Sequence, residues 1–83
     1  MSIKLMAAVW DLALPLPRKM VLLSLADQAN DNGECFPSIA TIERRTGAGR
    51  RTVFEQLLQL EQMGVLTRVQ ISKQRLLFKL NYA

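Results

Sequence analysis

The spacing of apolar residues changes once along the chain. Up to Gly64 they recur every three or four positions, and after it they alternate. The first pattern predicts amphipathic helices and the second predicts strands. At the start, Ile3, Met6, Val9, Trp10 and Leu14 fit a short helix over about 3–13 with Ser2 as its cap, a strand being the weaker reading. Trp10 reads as a core anchor, with stacking on a base as the alternative. Pro15 and Pro17 end this segment, and Pro17 suits the first position of a helix over about 18–29. Val21, Leu22, Leu25, Ala26 and Ala29 line its inner side. Asn30, Asp31, Asn32 and Gly33 make a turn by composition, and Glu34, Cys35 and Phe36 read as a very short strand.

The centre of the chain is a pair of helices, about 38–46 and 50–63. Ser38 is placed to cap the first, because its hydroxyl can accept from an orphan first-turn N–H. Gly47 is placed to end it and Gly64 to end the second, since glycine takes the left-handed C′ conformation at no steric cost. Val53, Leu57 and Leu60 recur at helical spacing and must face a core. A short helix, a glycine turn and a longer helix opening on Arg50, Arg51 and Thr52 match a DNA-binding helix-turn-helix, against which stands an ordinary αα-hairpin.

Beyond Gly64, Val65, Thr67, Val69 and Ile71 alternate with Leu66, Arg68 and Gln70. Leu76, Phe78, Leu80 and Tyr82 alternate with Leu77, Lys79 and Asn81. Two strands, about 65–71 and 75–82, therefore form an antiparallel hairpin whose turn type is open. Helix, helix, helix-turn-helix and hairpin in that order predict a single winged helix-turn-helix domain over 1–83, mainly α with a small β-hairpin (α+β). The hairpin is the wing, and Lys73 and Arg75 lie at its tip.

Composition narrows the function. Eighty-three residues allow one small domain with a limited core. A net charge of +4 and a pI near 9.9 favour an anionic partner, nucleic acid before a membrane surface. The chain has no histidine and one cysteine, Cys35, which excludes an internal disulfide and any His/Cys metal cluster. Cys35 reads as a small buried apolar residue and suits a reducing cytoplasm. The apolar start has only Lys4 ahead of its run and is interrupted by Asp11 and two prolines, so it is not read as a signal peptide. No stretch approaches the roughly 20 apolar residues of a membrane span. An enzyme is not expected: there is no histidine base, no Gly-rich phosphate cradle and no pair of converging carboxylates. No cofactor, metal or small-molecule ligand is implied.

The stretch KMVLLSLADQANDNGECFPSIATIERRTGAGRRTVFEQLLQLEQMGVL resembles the winged-helix domains at the N-terminus of phage and plasmid replication initiators, of which the replication protein O of lambdoid phages is the familiar member. LADQANDNGECFPS is its most specific part; RTGxxxRTV and the following LE and GVL are shared by many bacterial winged-helix regulators. The resemblance implies a third helix lying in the major groove of double-stranded DNA, origin recognition as the function, and a bacterial or phage-infected cytoplasm as the location, close to the nucleoid. The alternatives are transcriptional regulation and a protein-interaction or dimerisation winged helix with little DNA binding. The chain departs from the family at Ala48 and Gly49, where a large apolar residue and a serine are usual, and at Glu43, where a small residue is usual.

On this reading Arg50, Arg51 and Thr52 open the recognition helix, with Glu55 and Gln59 on its outer face. Arg18, Lys19, Arg44 and Arg45 hold the DNA backbone, and Lys73 and Arg75 reach a neighbouring groove from the wing. Glu55 meets phosphates with the wrong sign unless it accepts from a cytosine amino group. Phe54 and Leu58, one turn apart on the same helix, admit three readings: extra core beneath the wing, an interface for a second copy or a replication protein, and direct DNA readout, with Phe54 on a thymine methyl.

Overall fold

The computed structural model describes residues 3–72 and 75–82, except for the side chain of Arg75. The roles predicted for Ser2, Lys73 and the Arg75 side chain lie outside the described residues. The elements run α1 (Ile3–Trp10), α2 (Leu16–Gln28), β1 (Glu34–Cys35), α3 (Ile39–Thr46), α4 (Arg50–Gln62), β2 (Leu66–Ser72) and β3 (Arg75–Leu80). Helices α1, α3 and α4 all pack against α2, and α3 and α4 also pack against each other.

Helix α2 is the centre of the core because its apolar residues repeat on one face. Val21, Leu22, Leu25, Ala26 and Ala29 are all completely buried, as their spacing predicts. Val53, Leu57 and Leu60 bring α4 into the same core, Ile42 brings α3, and Phe78 and Leu80 bring the sheet. Cys35 is buried too, and its thiol donates to the Phe78 carbonyl at 3.7 Å.

The expected hairpin belongs to a three-stranded antiparallel sheet in which β3 is central. Glu34 pairs with Lys79 and Cys35 with Phe78 on one side, and Leu66 pairs with Leu80 on the other. The third strand is held by a close approach: the Leu80 N–H donates to the Gly33 carbonyl at 2.8 Å, and a Cβ on Gly33 would stand 3.2 Å from the Leu80 carbonyl oxygen. Past Leu66, β2 leaves the core, and Val69 and Ile71 are exposed.

Helix α1 corrects one expectation. It stops at Trp10, and Trp10 is 60% exposed rather than a core anchor; Ile3 is 76% exposed. Val9 is the buried residue of α1, and Trp10 stands about 100° further round the helix, on the solvent side. The segment is tied down at both ends instead. The Lys19 ammonium donates to the Trp10 carbonyl at 3.1 Å, and the Tyr82 hydroxyl donates to the Leu5 carbonyl at 3.0 Å.

Candidate nucleic-acid interface

The turn between α3 and α4 is built by local chemistry. The Ser38 hydroxyl accepts from the Thr41 N–H at 3.1 Å and caps α3. Gly47 takes φ +77°, a left-handed conformation that other L-residues rarely adopt, and its N–H donates to the Glu43 carbonyl at 2.9 Å. The Thr46 hydroxyl donates to the Ile42 carbonyl at 2.7 Å and accepts from the Ala48 N–H at 3.2 Å. The turn is therefore held by its own side chains, and Ala48 still packs against the core as a smaller residue.

Helix α4 begins at Arg50 with Gly49 as its cap residue, and Gly49 offers no side-chain acceptor to the first-turn N–H groups. Those donors and the positive end of the helix dipole face the solvent side by side with two arginines, an arrangement suited to a phosphate oxygen. Because Val53, Leu57 and Leu60 are buried, Arg50, Arg51, Phe54, Glu55, Leu58 and Gln59 are exposed, with Thr52 half-buried. The sequence-predicted face of α4 is thus assembled as expected.

Side-chain pairing changes what this face offers. The Arg50 guanidinium lies over the Phe54 ring, 5.3 Å from its centroid. The Arg51 guanidinium donates to Glu55 Oε1 at 3.0 Å within the helix, so Glu55 is neutralised by its own neighbour. Phe54 and Leu58 are 38% and 49% exposed, which overturns the reading that they tuck beneath the wing as core. The reason is phase: Leu57 and Leu60 occupy the inward positions, and Leu58 sits between them in sequence but on the opposite arc.

The flanking cations divide. Arg44 is exposed and forms no ion pair among the described residues. Arg45 is committed to Asp27 of α2. Arg18 donates to Gln56 Oε1 at 3.0 Å and points towards Met63, so it fastens α2 to α4; Lys19 is held by the Trp10 carbonyl. Each of these three side chains also links two parts of the fold. Two cations outside the predicted set stand on the sheet: Arg68 pairs with Glu61 at 3.1 Å and links the wing to α4, and Lys79 is exposed on β3. Strand alternation places both residues, but it does not reveal which ones meet an acid.

Among the described residues, no three His, Cys, Asp or Glu residues cluster to hold a metal ion, and no helix is long and apolar enough to cross a membrane. Burial pushes the Cys35 thiol up from 9.0 to about 12, so it stays protonated and unreactive. Burial, and then the neighbouring Cys35, push Tyr82 up from 10.0 to about 12.

A helix-turn-helix with an uncapped, arginine-bearing recognition helix and a β-wing defines a DNA-binding winged helix-turn-helix. A family model described as "Helix-turn-helix domain" matches residues 14–66, and the chain belongs to that family. It is also similar to Protein YmfN of Escherichia coli (strain K12), with 44% identity over 72 residues, 82% of this chain and 16% of that protein. The chain therefore spans less than a fifth of that relative's length.

Proposed function

We propose that the domain binds double-stranded DNA by laying α4 in the major groove and recognises a replication origin of a phage or plasmid. The carrying observation is the N-terminus of α4, where Gly49 leaves the first-turn donors uncapped beside exposed Arg50 and Arg51. Thr52 and Gln59 contribute polar contacts, Arg44 holds the backbone, and Lys73 and Arg75 extend the footprint from the wing. The resemblance to replication initiators supports origin recognition; regulation of transcription uses the same surface. In this role the protein is not an enzyme, needs no cofactor, and works in the cytoplasm beside the nucleoid.

The exposed Phe54 and Leu58 favour one further reading, a contact with a replication protein through the same helix. Gel shifts on random and origin-derived duplexes at two salt concentrations separate the two. DNA binding weakens steeply with salt, and Arg51→Ala lowers the salt slope by about one unit on all sequences. Binding that is absent on every duplex at low salt would sink the DNA reading and leave the protein contact.

A further inference from the structure

Helix α1 carries an apolar stripe that the fold does not use. With about 100° per residue, Ile3, Ala7 and Trp10 fall within roughly 60° of one another. Ile3 and Trp10 are 76% and 60% exposed, and Ala7 between them is exposed as well. A lone surface tryptophan needs no explanation, but one aligned with an isoleucine two turns away on a helix forms a continuous strip. Lys4 is exposed near one end of α1 and Asp11 is exposed just past the other end, and among the described residues neither makes an ion pair.

We propose that this stripe is the contact surface for a second copy of the chain, with the two α1 helices packed antiparallel about a two-fold axis at Ala7. The residue order itself argues for that partner. Reversing α1 about Ala7 sets Ile3 against Trp10 of the second copy within about 1.5 Å of axial register. The same operation brings Lys4 and the Asp11 that follows α1 of the second copy to the same end of the pair, at both ends of the dimer at once. A parallel pair would instead oppose Lys4 to Lys4 and Asp11 to Asp11. Ala7 at the crossing point lets the backbones approach closely.

The other flank of the stripe supplies a receptacle. Met6 lines a groove of about 190 Å³ with Met20, Leu23, Ser24, Asp27 and Arg45. Ser24 is buried beside it, and its hydroxyl has no hydrogen-bond partner among the described residues. The exposed strip on α4 is the poorer candidate for this role, because Arg50 already lies over Phe54. A short helix pair buries less than a standard interface of about 1,200–2,000 Å², so the dimer is transient and concentration-dependent. Helix α1 packs chiefly on α2, which leaves α4 of each copy open; on the DNA reading proposed above, the dimer addresses two half-sites.

The test is made without DNA, so it stands apart from that reading. Trp10 is the sole tryptophan, and its emission reports directly on the contact. Sedimentation equilibrium up to high micromolar concentration should show a monomer–dimer equilibrium, with emission shifting to the blue as the dimer forms. Ala7→Arg, at an exposed helix position, should weaken association at least about tenfold while the melting temperature stays put. Lys4→Asp and Asp11→Lys should each weaken it, and the double charge exchange should restore it; Leu58→Arg should leave it unchanged. A monomer throughout the concentration range, or a dimer indifferent to Ala7→Arg and to the charge exchange, overturns the proposal.

Discussion

The Arg50 guanidinium stacks on the ring of Phe54, one turn along α4, at 5.3 Å from the ring centroid. The ring limits the rotamers of a long, mobile side chain and holds its charge on the outer surface of α4. Phe54→Ala should therefore weaken DNA binding by about 0.5–1 kcal/mol, the scale of an exposed cation–π contact. Stability should barely change, because the ring is already part-exposed. Gel shift and thermal melting on the same variant check both halves.

Glu55 is the one acid on the outer surface of α4 close to its arginines, and it holds Arg51 at 3.0 Å. Glu55→Gln should release Arg51 and remove a like charge from the phosphates, so affinity for any duplex should rise about fivefold at low salt and less at high salt. The helix should lose only about 0.3–0.5 kcal/mol with its i,i+4 pair. A selective loss of affinity for one sequence would show instead that Glu55 reads a cytosine.

Leu57 is 1% exposed at the junction of α4 with the core. Leu57→Ala should cost roughly 2–5 kcal/mol. Chemical denaturation should reveal a large shift of the unfolding midpoint. A midpoint near that of the parent would contradict the helical phase on which every outward residue of α4 depends.

Alkaline pH should destabilise the fold. Cys35 and Tyr82 have folded-state values of about 12, above their ordinary 9.0 and 10.0. The folded state therefore holds these protons more tightly than the unfolded chain. Their contribution is fully present below pH 9.0 and is lost as pH rises from there towards about 12. Denaturant midpoints measured across that window should fall, and Tyr82→Phe should make the decline shallower.

The chain's own pattern determined the helix phases of α2 and α4, the Ser38 cap, the Gly47 turn and the wing strands. These are local: a 3.6-residue or two-residue period, a hydroxyl three residues from an amide, a glycine at positive φ. The outward face of α4 was legible for the same reason, since fixing Val53, Leu57 and Leu60 inward fixes every other residue of the helix. Tertiary structure alone decided the rest. Helix α1 has apolar residues on two arcs, and only docking on α2 selected Val9 over Trp10. The short strand at Glu34 was legible, but its place beside β3 was not: it depends on Gly33 letting Leu80 approach, a contact across 47 positions. Arg45 was removed from the free cations by Asp27, and Arg18 by Gln56, partners that lie 18 and 38 positions away. Periodicity states which way a side chain points, but whether a charge is free there depends on which distant residue the fold brings beside it.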